Sequence, residues 1–167
     1  MKIRHSKTPL PDVFHPLHGG IVHEARIKVT KHSRLCAKLL IFDNHASLKD
    51  FFERILDRRG SVTDDTRGIV TALSWKVTCF SNKEQEKEYI EVDPRYFCLI
   101  GLIMGYLRMD IICHEAVHAA FNYKERQNRR LWDDGDNPDH EEEICYPAGI
   151  IASRINSFCH NEGLYHK

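Results

Sequence analysis

Neither glycine nor proline interrupts residues 106–125, and inside them runs DIICHEAVHAAFNY, residues 110–123. No other stretch constrains the fold as much. Leu107, Ile111, His114 and His118 follow one another at spacings of four, three and four, the period of one helix face. Ala116, Ala119 and Ala120 add strong helix formers. A helix over 106–125 stacks His114 and His118 about one turn apart, where both imidazoles reach a single tetrahedral ion at about 2.0–2.1 Å. Glu115 leaves the backbone about 100° around from His114, placed to act on a metal-bound water rather than to ligate the metal. The stretch reads H-E-x-x-H. A chain with 11 histidines can hold that pentapeptide by accident, so its meaning comes from the helical setting. The competing reading is a pair of histidines lining the core.

A catalytic zinc takes three protein ligands and leaves a fourth position open. The downstream candidates are His140, Glu141, Glu142, Glu143 and His160. Most of them open a second helical pattern. Asn137 suits an N-cap and Pro138 the first helical position. Asp139 and the three glutamates then sit where the helix dipole favours negative charge. Ile144, Ala148, Ile151 and Ile155 recur at helical spacing, so a helix over 138–157 packs on a core. Crossing the first helix, it offers one carboxylate from its first turns, and the other glutamates are helix-terminal charge.

Upstream, strand and helix signals alternate. Residues 21–30, IVHEARIKVT, carry β-branched residues in partial alternation and predict a strand. Residues 35–42 fit a strand or a short helix. SLKDFFERILDRRG, residues 47–60, spaces Leu48, Phe51, Phe52, Ile55 and Leu56 as a helix, with Ser47 as N-cap and Gly60 as its stop. Residues 68–80 and 88–92 predict a hairpin around the polar SNKEQEKE, and Pro94 ends it. YFCLIGLIM, from residue 96, fits a buried strand or a buried helix, and Gly101 and Gly105 favour a strand ending near Gly105. Residues 1–19, with Pro9, Pro11 and Pro16, predict an irregular arm. At 167 residues the chain fits one domain, 1–167. The expected class is α+β: a small, twisted, mostly antiparallel sheet with at least three helices.

Charge and composition exclude several classes. Lys plus Arg and Asp plus Glu both number 24, so no net basic field points to nucleic acid or to an anionic membrane. The longest apolar stretch, residues 96–107, is too short to span a bilayer. The first residues lack the apolar segment of a secretory signal, and a cytoplasmic protein is expected. None of the six cysteines forms C-x-x-C. They read as buried reduced thiols, Cys113 included, and their spacing disfavours a zinc nucleobase deaminase. DDGDNPD lacks the residue order of a calcium loop and reads as solvated.

Taken together, HEAVHAAF and HEEEICYPAGIIASRI resemble the short phage-encoded and bacterial minimal zinc metallopeptidases of gluzincin type. In these, H-E-x-x-H on one helix is followed by a Glu on the next, within a pattern like E-E-x-x-A-Y-x-x-G. The resemblance covers about the last 60 residues. It implies a minimal zincin-like fold in which His114, His118 and Glu142 hold Zn2+, with Glu142 lying 24 positions beyond His118. Tyr146 matches the aromatic and Gly149 the glycine, whereas Cys145 replaces a usually small residue and Pro147 falls early in the helix. The implied activity is zinc-dependent hydrolysis of a peptide bond. Glu115 takes a proton from the zinc-bound water and passes it to the leaving amine. Tyr146 or His140 is the candidate for stabilising the oxyanion, although a packed aromatic explains Tyr146 equally well. The implied partner is a protein or peptide substrate, in a host cytoplasm if the chain is phage-encoded, bound extended against the edge of the expected hairpin. A different class competes: a non-catalytic phage-like protein that uses the zinc site structurally and acts by binding a host protein. Zinc content does not separate the two, whereas Glu115→Gln does.

Overall fold

The computed structural model describes residues 20–56, 60, 62–72, 79–81, 87–89, 95–127 and 139–166. In chain order they form strands β1 (Ile21–Lys28) and β2 (Cys36–Phe42), helix α1 (His45–Leu56) and strands β3 (Gly68–Ala72), β4 (Cys79–Ser81), β5 (Lys87–Tyr89) and β6 (Tyr96–Ile103). Helices α2 (Met109–Gln127) and α3 (Asp139–Asn161) follow. The class is α+β. The main sheet has the order β1-β2-β6-β3, and β4 pairs with β5 in a second sheet. Three ladders are antiparallel, and the β2–β6 ladder is parallel.

β2 and β6 are buried along their whole lengths. That is why both read as unbroken apolar runs: each has a helical layer on either face. Ala37, Leu39 and Ile41 join Cys98, Ile100 and Leu102 in the core beneath α2 and α3. Leu40, Phe42, Leu99 and Ile103 turn the other way and meet Leu48, Phe51 and Phe52 of α1. Three phenylalanines concentrate that second core, with Phe42 and Phe51 centroids 5.4 Å apart and those of Phe51 and Phe52 5.3 Å apart. Burying each side chain of this size contributes about 1.5–3 kcal/mol. The β2–β6 ladder pairs Cys36 with Tyr96 and Ala37 with Cys98, leaving Phe97 as an extra residue. Such a bulge re-aims a side chain. Here Phe97 joins the α2 side, its ring centroid 5.2 Å from that of Tyr123.

Contacts along the strands fix the helix directions. Phe97, early in β6, meets Tyr123, late in α2, so α2 runs back along β6. Arg154 donates to the Lys28 carbonyl at the end of β1, while Glu162 lies 3.9 Å from His23 near its start, so α3 runs back along β1. Because β1 and β6 run oppositely through β2, α2 and α3 are antiparallel. α2 covers β6 and β3, and α3 covers β1. A 3.3 Å ion pair from Lys124 to Glu143 joins the end of α2 to the beginning of α3.

Several local expectations change. Asn44, not Ser47, caps α1: its Oδ1 accepts the Ser47 N–H at 2.9 Å, and both residue types are good caps. The strand expected over 68–80 is divided between two sheets, because strand-forming composition reports the backbone and not the ladder partner. Residues 35–42 and 96–104 resolve to the strands β2 and β6. Cys36, Cys98 and Cys159 are buried free thiols, but Cys113 and Cys145 are exposed. The buried side of α2 is made by Ile112, Ala116, Ala119, Ala120 and Tyr123, which leaves Cys113 off the core. The expected arm at 1–19, the middle of the polar turn near 82–86, Pro94, and the 128–138 segment with Asn137, Pro138 and DDGDNP lie outside the described residues. Among the described residues, no helix is long and apolar enough to cross a membrane.

Candidate metal centre

With its apolar side on the sheet, α2 leaves His114 and His118 exposed, one turn apart. Their Nε2 atoms are 3.2 Å apart, and the rings meet edge-on at a centroid distance of 4.8 Å. Without a metal, the ring carrying the Nε2 proton donates to the other. Two nitrogens bound at about 2.0–2.1 Å to a tetrahedral ion sit about 3.3–3.4 Å apart. The spacing of the pair is therefore close to that of two corners of a zinc site.

Glu115 occupies the adjoining side of α2, facing β3. It is 6% exposed, and its side chain fills space that Gly68, lacking a Cβ, leaves open. Desolvation by burial raises its pKa above the usual carboxylate value, and the nearby His114 opposes the rise. A buried carboxylate of this kind holds a proton more readily than an exposed one.

His114 and Glu115 line one cleft of about 500 Å³. Its second wall is the segment leading into β3, including Asp65, Arg67 and Gly68. Asp110, at the first turn of α2, also borders it and is clamped by Arg108, with Nε–Oδ1 3.1 Å and Nη2–Oδ2 2.9 Å. Among the described residues β3 is an edge strand of the main sheet, and its first residue, Gly68, borders the cleft beside Glu115.

The remaining expected residues stand elsewhere. Glu142 is exposed near the start of α3. The Lys124–Glu143 pair sets that turn beside Lys124, six residues beyond His118 or about 9 Å along the helix axis. Moreover, α3 flanks α2 on the β1 side of the sheet, and the cleft opens on the β3 side. The structure thus brings His114, Glu115 and His118 together and does not bring Glu142 to them. Among the described residues, no group of three His, Cys, Asp or Glu side chains is ready to hold a metal. Tyr146 is 76% exposed and borders a separate groove with Cys145 and Gly149. The side chain of His140 lies outside the described residues.

The motif gave no pointer to the second wall of the cleft. Its one sequence signal was Gly68 opening the β-branched run GIVT, since glycine at a strand often marks a close approach. Comparison of the chain with protein-family models, with curated proteins and with solved structures returns no match.

Proposed function

We propose that the chain is a zinc-dependent hydrolase of peptide bonds, with His114 and His118 as metal ligands and Glu115 as general base. One observation carries this reading: two imidazole nitrogens 3.2 Å apart, one of them on His114, which shares a cleft with the buried Glu115. A catalytic zinc takes three protein ligands: in this reading His114 and His118 are two, and the family resemblance assigns the third to Glu142, which stands apart from the pair in the structure. When bound, zinc supplies a water whose pKa falls toward about 7 and an electrophile for a carbonyl oxygen.

The chain's own residues do the rest. Glu115 accepts a proton from water in the cleft and delivers it to the leaving nitrogen. Burial makes its carboxylate a stronger base than an exposed one. The β3 edge offers amide and carbonyl groups to an extended peptide, aligning it beside α2. Glu115→Gln keeps the side chain's size and removes the base, so zinc content and fold are retained while turnover falls by about 10²–10⁴. Turnover at the wild-type level in this variant would end the hydrolase reading.

A second reading keeps the same histidine pair without turnover. In it the metal is structural, and a phage-like protein acts by binding a host protein. Under this reading Glu115→Gln leaves the biological effect intact.

A further inference from the structure

Bond hydrolysis by Glu115 and a metal does not by itself require Arg67, which the fold fixes on the opposite wall of the cleft. Its guanidinium carbon lies 4.6 Å from the centroid of the Tyr106 ring. Its Nη1 donates to the carbonyls of Asp64 at 2.7 Å and Thr66 at 3.4 Å. Stacking thus restrains the guanidinium from one side, and its own loop restrains it from another. The Nη1 hydrogens are occupied by these carbonyls. Among the described residues nothing takes the Nε–H and Nη2–H donors, and together they form the edge that matches two oxygens of a carboxylate.

No described carboxylate takes that edge. Asp64 lies 3.6 Å from Lys49 and Asp110 is held by Arg108 at 2.9 Å, while Arg67 has no ion-pair partner among the described residues. Arg67, His114 and Glu115 nevertheless line the same cleft. A half-buried cation, pre-oriented and with its fork edge unused, is organised for an anion that arrives from outside.

We propose that Arg67 is the carboxylate anchor of the substrate. A peptide seats a carboxylate on the Nε–Nη2 edge while the bond to be cleaved lies across the cleft at His114 and Glu115. The cleavage half of this statement rests on the hydrolase reading, but the anchor binds carboxylate with or without turnover. Guanidinium also matches phosphate. Asp65, Asp110 and Glu115 border the same cleft, however, and repel a dianion more strongly than a monoanionic carboxylate. The carboxylate comes either from a peptide C-terminus or from an Asp or Glu side chain.

The test uses the full-length protein as purified, in a Glu115→Gln background, so that binding is read without turnover. Calorimetric titration compares three probes: acetyl-Gly-Gly-Phe as the free acid, the same peptide as its amide, and acetyl-Gly-Glu-Phe-amide. One carboxylate-bearing probe is expected to bind about 10- to 100-fold more tightly than the neutral amide, the scale of a charged hydrogen-bonded pair. Which of the two does so identifies the source. Arg67→Ala should abolish the preference with zinc content unchanged, and Arg67→Lys should restore only part of it, because an ammonium lacks the fork. Arg67→Gln replaces the alanine variant if the latter loses the fold. The proposal is overturned if the wild-type wall shows no preference. It is also overturned if the preference survives Arg67→Ala, which places the carboxylate on the metal or elsewhere. Arg67-dependent binding in a protein whose Glu115 form cleaves nothing would remove the hydrolase reading and leave the anchor standing.

Discussion

Gly68 lies directly beneath Glu115: a Cβ at position 68 would stand 2.7 Å from Glu115 Cγ and 2.9 Å from its Oε1. The first residue of an edge strand thereby seats the candidate general base, across a long separation in sequence. Gly68→Ala leaves no room for the present Glu115 side chain, which must move, or α2 must part from β3. The expected outcome is at least about a tenfold loss of turnover, as for a displaced base, and a stability loss of about 1–3 kcal/mol from overpacking. Zinc content should stay at the wild-type level, because the three atoms nearest to such a Cβ all belong to Glu115 and none to His114 or His118. Steady-state kinetics with metal analysis checks this, and unchanged kinetics in Gly68→Ala would show that the seat is not needed.

Burial also makes Glu115 costly to the fold. Its pKa in the native state is raised by desolvation, with His114 opposing, so the unfolded chain releases this proton at lower pH than the native state does. Below the unfolded value, about 4.3, both states hold the proton. As pH rises through the native value, the native state loses stability relative to the unfolded one. Glu115→Gln removes that loss. In chelator-treated protein the variant should be more stable than wild type at pH 7, with the difference shrinking as pH falls toward about 4. Urea unfolding at several pH values measures it. A variant less stable than wild type at pH 7 would contradict the burial cost.

The third ligand is decided among three adjacent glutamates. The family alignment gives Glu142, and side chains at 141, 142 and 143 point about 100° apart around the helix. Glu143 is paired with Lys124 at 3.3 Å. Alanine substitution at each position, read as zinc affinity, tests that alignment against the structure: the alignment predicts the largest loss at Glu142, whereas the distance of this turn from His118 predicts no loss in any of the three. The largest loss at Glu141 or Glu143 would shift the alignment by one position. Equal affinity in all three variants would place the third ligand outside this turn.

The two long helices were legible because helical spacing relates Ile111, His114 and His118, and again Ile144 to Ile155, although α2 begins at Met109, beyond Leu107, and packs through Ile112, Ala116, Ala119, Ala120 and Tyr123 rather than through the histidine face. β6 was ambiguous for a physical reason. Both of its faces are buried, so no alternation marks it as a strand. The pairing of His114 with His118 follows from local geometry and could be read directly. The other cleft wall could not, since Arg67 and Gly68 reach α2 only through the pairing of β3 with β6. Glu142 shows the same limit from the other direction. Its spacing from His118 matches a known pattern, but spacing does not say on which flank of α2 the next helix packs. That flank is set by Arg154 meeting the end of β1 and by Glu162 approaching His23.

The most direct test is the zinc content of protein purified without added metal, measured by elemental analysis for wild type, Glu115→Gln, His114→Ala and His118→Ala. The account predicts about one zinc per chain in wild type and in Glu115→Gln, and loss of the metal in both histidine variants. The histidine variants should also unfold at lower temperature, because a ligand bound only by the native state stabilises it. Metal-free wild-type protein that takes up no zinc when it is supplied, or full zinc content in His118→Ala, would contradict it.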